Sequence, residues 1–155
     1  MSERLILFTG AMVRAILAGA KSSTRRVIKP QPAADMVPWG NNQLINGFAL
    51  FCESRHQRQG EKGRTEHIKC PYGNVGERLR ASGLTLQITA VRVERLQDID
   101  EAAVIAEGVW PEGWAYGDGK PQKKFAVQWD ATNAKRGFGW DANPWVWVID
   151  FMRVG

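Results

Sequence analysis

Ahead of its first pair of prolines the chain reads Lys21-Ser22-Ser23-Thr24-Arg25-Arg26-Val27-Ile28-Lys29-Pro30-Gln31-Pro32. Arg25 and Arg26 present guanidinium forks that fit phosphate oxygens, and Lys29 adds a point charge beside them. If Trp39 or Trp114 is exposed, its indole face can stack on a base. Nucleic acid, RNA in particular, is therefore the leading class of partner. The alternative is a solvated basic face with both Trp packed on the domain. Cys52, His56, His67 and Cys70 form C-x3-H and H-x2-C pairs, and these spacings do not match the common zinc motifs. No metal ligand is assigned and no cofactor is expected. Two cysteines are too few for a disulfide framework, and an intracellular setting would keep them reduced.

The elements that must carry these residues are irregular in order. Arg4 to Phe8 reads as a short strand. Val13, Ile16 and Leu17 have the spacing of one helical face, with Gly19 as the stop. The basic stretch from Lys21 then reads as a loop, held extended by Pro30 and Pro32. Pro38, Gly40, Asn42 and Gly47 mark turns, and Phe48 to Cys52 suits a strand. Residues 54–68 are strongly polar and are expected to be a mobile loop. Leu84, Leu86 and Ile88 alternate with polar residues, then Val91 and Val93 continue on the opposite parity, which predicts one long strand with a bulge near Ala90. Asp98 or Asp100 caps a short helix through Glu107, stopped by Gly108. Phe125 and Trp129, four apart, predict a further helix before Gly137. Trp145 to Phe151 reads as a strand buried on both faces. With so few βαβ units, the expected architecture is a single α+β domain over residues 1–155, built on a small, mostly antiparallel curved sheet or barrel.

The chain has 155 residues, 44% of them hydrophobic, enough to bury one core. Its net charge of +5 suits a polyanionic partner. Every apolar run is interrupted well before the length of a bilayer span, so neither a signal peptide nor a membrane partner is expected.

Gly19-Ala20-Lys21-Ser22-Ser23-Thr24-Arg25-Arg26 resembles the Gly-x-Lys-x-x-Thr-x-Arg signature that follows the first helix of ASCH domains. Val93-Glu94-Arg95-Leu96-Gln97-Asp98-Ile99, Ala106-Glu107-Gly108-Val109, Trp129-Asp130 and Asn143-Pro144 through Phe151 resemble bacteriophage and prophage members of that family. The resemblance implies a PUA-like β-barrel with flanking helices, a polar cleft between the first helix and the barrel, and RNA or a modified nucleoside as ligand, in the cytoplasm of a bacterial or phage-infected cell. One departure stands out. Relatives follow Gly-Asp-Arg-Leu with a strand reading Trp-Val-Arg-Glu-Thr, whereas here Gly76-Glu77-Arg78-Leu79 runs into Arg80-Ala81-Ser82. The chain reads as internally shortened, which opens the alternative of an incomplete barrel, pairing with a second copy through an exposed sheet edge.

A smaller group with the same signature hydrolyses N4-acetylcytidine, and its catalytic Lys, Thr and Glu fall on Lys21, Thr24 and Glu107, with the motif's Arg on Arg26. Amide hydrolysis needs a nucleophile, a base and a positive group for the oxyanion, and Thr24, Glu107 and Lys21 can fill those roles, Lys and Glu being exchangeable. From the residues alone, Lys21 and Glu107 could equally make a surface ion pair while Thr24 caps a turn. Three readings follow: a binding module for RNA or a modified nucleoside, an amidohydrolase, and an inactive prophage remnant.

Overall fold

The computed structural model describes residues 3–40, 42–54, 63–109 and 120–154. Among the described residues, eight strands and three α-helices follow one another as β1 (Glu3–Leu5), α1 (Gly10–Leu17), β2 (Ser23–Val27), β3 (Met36–Pro38), β4 (Phe48–Glu53), β5 (Thr65–Lys69), β6 (Arg78–Ala81), β7 (Leu84–Arg95), α2 (Glu101–Ala106), α3 (Lys120–Asn133) and β8 (Trp145–Arg153). The α+β class and the mainly antiparallel pairing are as the sequence predicts. None of the described helices is long and apolar enough to cross a membrane.

The strands form a five-stranded sheet in the order β1-β6-β7-β8-β2 and a three-stranded sheet in the order β3-β4-β5. Among the described residues, only β1 and β6 run parallel. An isolated bridge pairs Gln43, in the connection between β3 and β4, with Arg92 of β7. Within the described residues the ladders do not close into one ring. The shortened stretch forms β6, which turns into β7 through Ser82 and Gly83, both at positive φ as a two-residue hairpin turn requires. Because β6 pairs on its other side with β1, the outer edge here is the three residues of β1.

The register of β7 against β8 slips between Ile88 and Ala90, where the apolar parity changes in sequence. β8 then does what its run of aromatic and β-branched residues requires. Trp145, Trp147, Ile149 and Phe151 enter a core with Phe51, Leu86, Ile88 and Val93, while Val146 and Val148 enter a second core with Leu96, Val104, Phe125 and Trp129 from the helical side.

Two expectations change. The basic stretch after α1 is not a loop, because residues 23–27 pair with β8 along their whole length. Its polar composition hides the strand, since its charges are met by buried partners rather than by water. Residues 65–68, placed in the polar loop, belong to β5, whose Glu66, His67 and Lys69 tolerate a sheet edge. The rest of that expected loop, residues 55–62, lies outside the described residues, as does Trp114.

Candidate functional site

α1 ends at Gly19, which takes φ +78° and lets the backbone N–H groups of Ala20 and Lys21 return to the carbonyl of Ala15. The chain enters β2 directly. Ser22 N donates to Ala106 O at 2.8 Å, so the start of β2 is tied to the C-terminal end of α2. Asp100 caps the opposite, N-terminal end of the helix by accepting from Ala103 N at 2.8 Å, and Glu107 is the C-cap residue. Gly108 follows at φ +83°, and a Cβ there would lie 3.0 Å from the Cβ of Lys21. These turns bring Lys21 and Glu107 together across 86 residues of sequence.

They do not form a surface pair: their side chains are 1% and 6% exposed. Lys21 Nζ donates to Glu107 Oε2 at 3.0 Å, to Glu107 O at 3.0 Å and to Ser23 O at 2.8 Å, which engages every proton of the ammonium. Burial lowers the Lys21 pKa from its ordinary 10.5. The Glu107 carboxylate opposes that shift, and the nearby guanidinium groups of Arg26 and Arg25 add to it.

Alternation along β2 divides the remaining residues. Ser23 and Arg25 pair in register with Asp150 and Val148 and share the face that looks toward α2. Arg25 is buried, donating from Nη1 to Glu107 Oε1 at 3.3 Å and from Nη2 to Glu94 Oε1 at 3.3 Å. Glu94 in turn accepts from Arg92 Nε at 2.6 Å, and Arg92 reaches Asp150 at 3.1 Å. The result is a line of alternating charge, Lys21, Glu107, Arg25, Glu94, Arg92, Asp150.

Thr24 and Arg26 point to the opposite face. Thr24, also buried, accepts from Arg26 Nε at 3.2 Å, and Arg26 Nη2 donates to Leu7 O at 2.7 Å. The guanidinium lies 5.0 Å from the centroid of Phe8, whose ring is also 5.7 Å from Lys21 Nζ. Tyr72 is close enough to Arg26 for the two to influence each other electrostatically. Lys21, at the foot of the strand, thus adjoins both faces. It is bonded to Glu107, whereas the hydroxyl of Thr24 is held by Arg26.

Of the cations expected to meet phosphate, Arg25 is turned inward onto two carboxylates. Arg26 is half-buried beside Phe8, and Lys29 is exposed with its ammonium 5.8 Å from the Phe138 ring. Sequence reasoning missed Phe8, Tyr72, Arg92, Glu94 and Asp150. Arg92 and Glu94 did leave a signal: two charges alternating with Val91 and Val93 inside a long strand need partners on that face. Cys52 and Cys70 are buried and form no disulfide, and His56 lies outside the described residues. Cavities of about 280 and 490 Å³ lie away from this cluster, on either side of Asn46. Hydrogen bonding and burial mark the β2 site.

No family model and no curated protein matches the sequence. The fold does have solved counterparts. The crystal structure of protein EF3133 from Enterococcus faecalis, of the DUF984 family model, superposes with a TM-score of 0.55 at 12% identity, covering 99% of this chain and 82% of that one. An ASCH domain from Lactobacillus crispatus gives 0.49 at 13% identity, covering 98% of this chain and 79% of that one. The hypothetical protein PH0355 gives 0.49 at 14% identity, covering 99% and 100%. The first superposition establishes a shared overall fold.

Proposed function

We propose that this chain is an ASCH/PUA-like module of phage or prophage type that binds RNA or a modified nucleoside at the foot of β2. The observation that carries the reading is the convergence of the signature residues. Lys21, Thr24 and Arg26, together with Glu107 from 81 residues beyond Arg26, meet at one place beside the aromatic face of Phe8. Phe8 and Arg26 offer a planar surface for a base, while the carboxylate and cations supply acceptors and donors for its edge. Lys29 and the outer side of Arg26 are placed to meet phosphates. Binding of short fluorescent RNAs, followed by anisotropy, should weaken steeply with added salt, and Lys29→Ala should reduce that slope by about one. Affinity that is flat in salt would sink the RNA form of the proposal.

A second reading, amide hydrolysis, is favoured by one feature: burial pushes down the pKa of Lys21, whose ammonium is hydrogen-bonded to the Glu107 carboxylate. In that reaction the Thr24 oxygen adds to the acetyl carbon of N4-acetylcytidine while its proton passes to Lys21, which hands a proton on to the Glu107 carboxylate. Arg26 holds the oxyanion, the C–N bond breaks as the leaving amine is protonated, and water then releases acetate from Thr24. Incubation with N4-acetylcytidine, followed by chromatography of cytidine, tests it. Product from wild type and none from Lys21→Ala is the expected outcome. Silence from both, with no RNA binding, would leave the inactive remnant.

A further inference from the structure

We propose that Arg25, braced by Glu94, is the positioning residue that holds the Glu107 carboxylate beside the Lys21 ammonium; this deepens the reading of Lys21 and Glu107 as a functional pair and rests on it. Glu107 is the C-cap of a helix of only six residues, so its side chain gets little guidance from the backbone. Its two oxygens are instead fixed by different cations, Oε2 by Lys21 at 3.0 Å and Oε1 by Arg25 at 3.3 Å. Arg25 grips in a way that does not suit simple stabilisation. A guanidinium that only neutralised Glu107 would form a bidentate fork on it. Arg25 instead divides its two terminal nitrogens between Glu107 and Glu94, and its Nε is buried without a hydrogen-bond partner. An orphaned donor of this kind is unfavourable. The geometry is that of a strut between two fixed carboxylates. Glu94 is fixed in turn by Arg92 at 2.6 Å, and Arg92 is tied to Asp150 at 3.1 Å on β8. The brace therefore runs across three neighbouring strands, β2, β8 and β7.

The charged groups facing Lys21 are Glu107 from the end of α2 and Arg25 and Arg26 from β2. Glu107 raises the Lys21 pKa and Arg25 lowers it, with Glu107 the stronger of the two. Removing Arg25 therefore has opposite consequences under two accounts. If Arg25 is only a neighbouring charge, its loss raises the pH midpoint of Lys21. If it positions Glu107, the carboxylate drifts from the ammonium and the midpoint falls.

The decisive experiment is a pH titration of the Lys21 side-chain ¹³Cε resonance, assigned with Lys21→Arg, in wild type and Arg25→Gln. The expected result is a lower midpoint in Arg25→Gln. A higher or unchanged midpoint overturns the proposal. Should Arg25→Gln not fold, Glu94→Gln, at a side chain 20% exposed, removes the brace and keeps the cation. Its midpoint is then expected to fall, and a midpoint equal to wild type overturns the proposal. The titration needs no substrate, so absence of turnover or RNA binding counts against the proposed function while the titration still decides the role of Arg25.

Discussion

Glu107 is the anion shared by Lys21 and Arg25, and both cations are buried with it. Glu107→Ala would leave two positive groups without their common partner, so a loss of about 3–5 kcal/mol is expected in urea denaturation. A smaller loss would mean that water enters the site freely. Cys70 gives a residue-scale test of a different kind. Burial pushes its pKa above the ordinary 9.0, so the native state keeps the thiol proton that the unfolded chain gives up. That stability is fully present below about pH 9 and is withdrawn as pH rises through the native pKa. Tyr72 is raised from 10.0 by burial too and acts in the same sense. Cys70→Ala should therefore lose stability less steeply above pH 9 than wild type, as read from melts in a pH series. At this scale Lys21, Thr24 and Glu107 could be singled out in sequence only through their resemblance to the ASCH signature. The inward turn of Arg25 was not legible, because its partners Glu107 and Glu94 lie 82 and 69 residues away and nothing local distinguishes it from Arg26.

α2 is too short to be stable by itself, and its position depends on how it begins and ends. Asp100→Ala removes the acceptor for Ala103 N and should lower stability by about 1 kcal/mol, measured by chemical denaturation. Gly108→Ala acts at the other end. The left-handed φ of +83° is unfavourable for alanine by about 1–2 kcal/mol, and the new methyl meets Lys21 Cβ at 3.0 Å. A larger deficit in ligand binding or turnover than in stability is expected for Gly108→Ala, and the reverse order would separate Lys21 from function. Elements announced by periodicity were legible: α1, the capped α2, the bulged β7, and β8 with apolar side chains on both faces. β2 and β5 were not. Their side chains are polar at both parities, and in β2 the cover comes from carboxylates and rings distant in sequence, so no alternation marks the strand.

The molecule is organised about β8, which is hydrogen-bonded on one side to β7 and on the other to β2 and separates two apolar clusters. Neither cluster can loosen without exposing a face of the same strand, so thermal unfolding of the described architecture should be one transition rather than two. Trp147→Ala, at a residue 1% exposed, should cost about 3–5 kcal/mol and move near- and far-UV circular dichroism together. Separate transitions by the two probes would show that the clusters melt independently. The mixed α+β class was legible from the order of elements, but the arrangement of the strands into two sheets depends on pairings far apart in sequence, which leave no local trace. The place of β8 in the chain adds a constraint on synthesis. Its strand partners and the helices that pack on it are all translated before it, so a nascent chain leaving the ribosome carries both apolar surfaces open until Arg153 has emerged. Until then β2 and β7 have no common neighbour, and the Lys21–Glu107 site has no wall behind it.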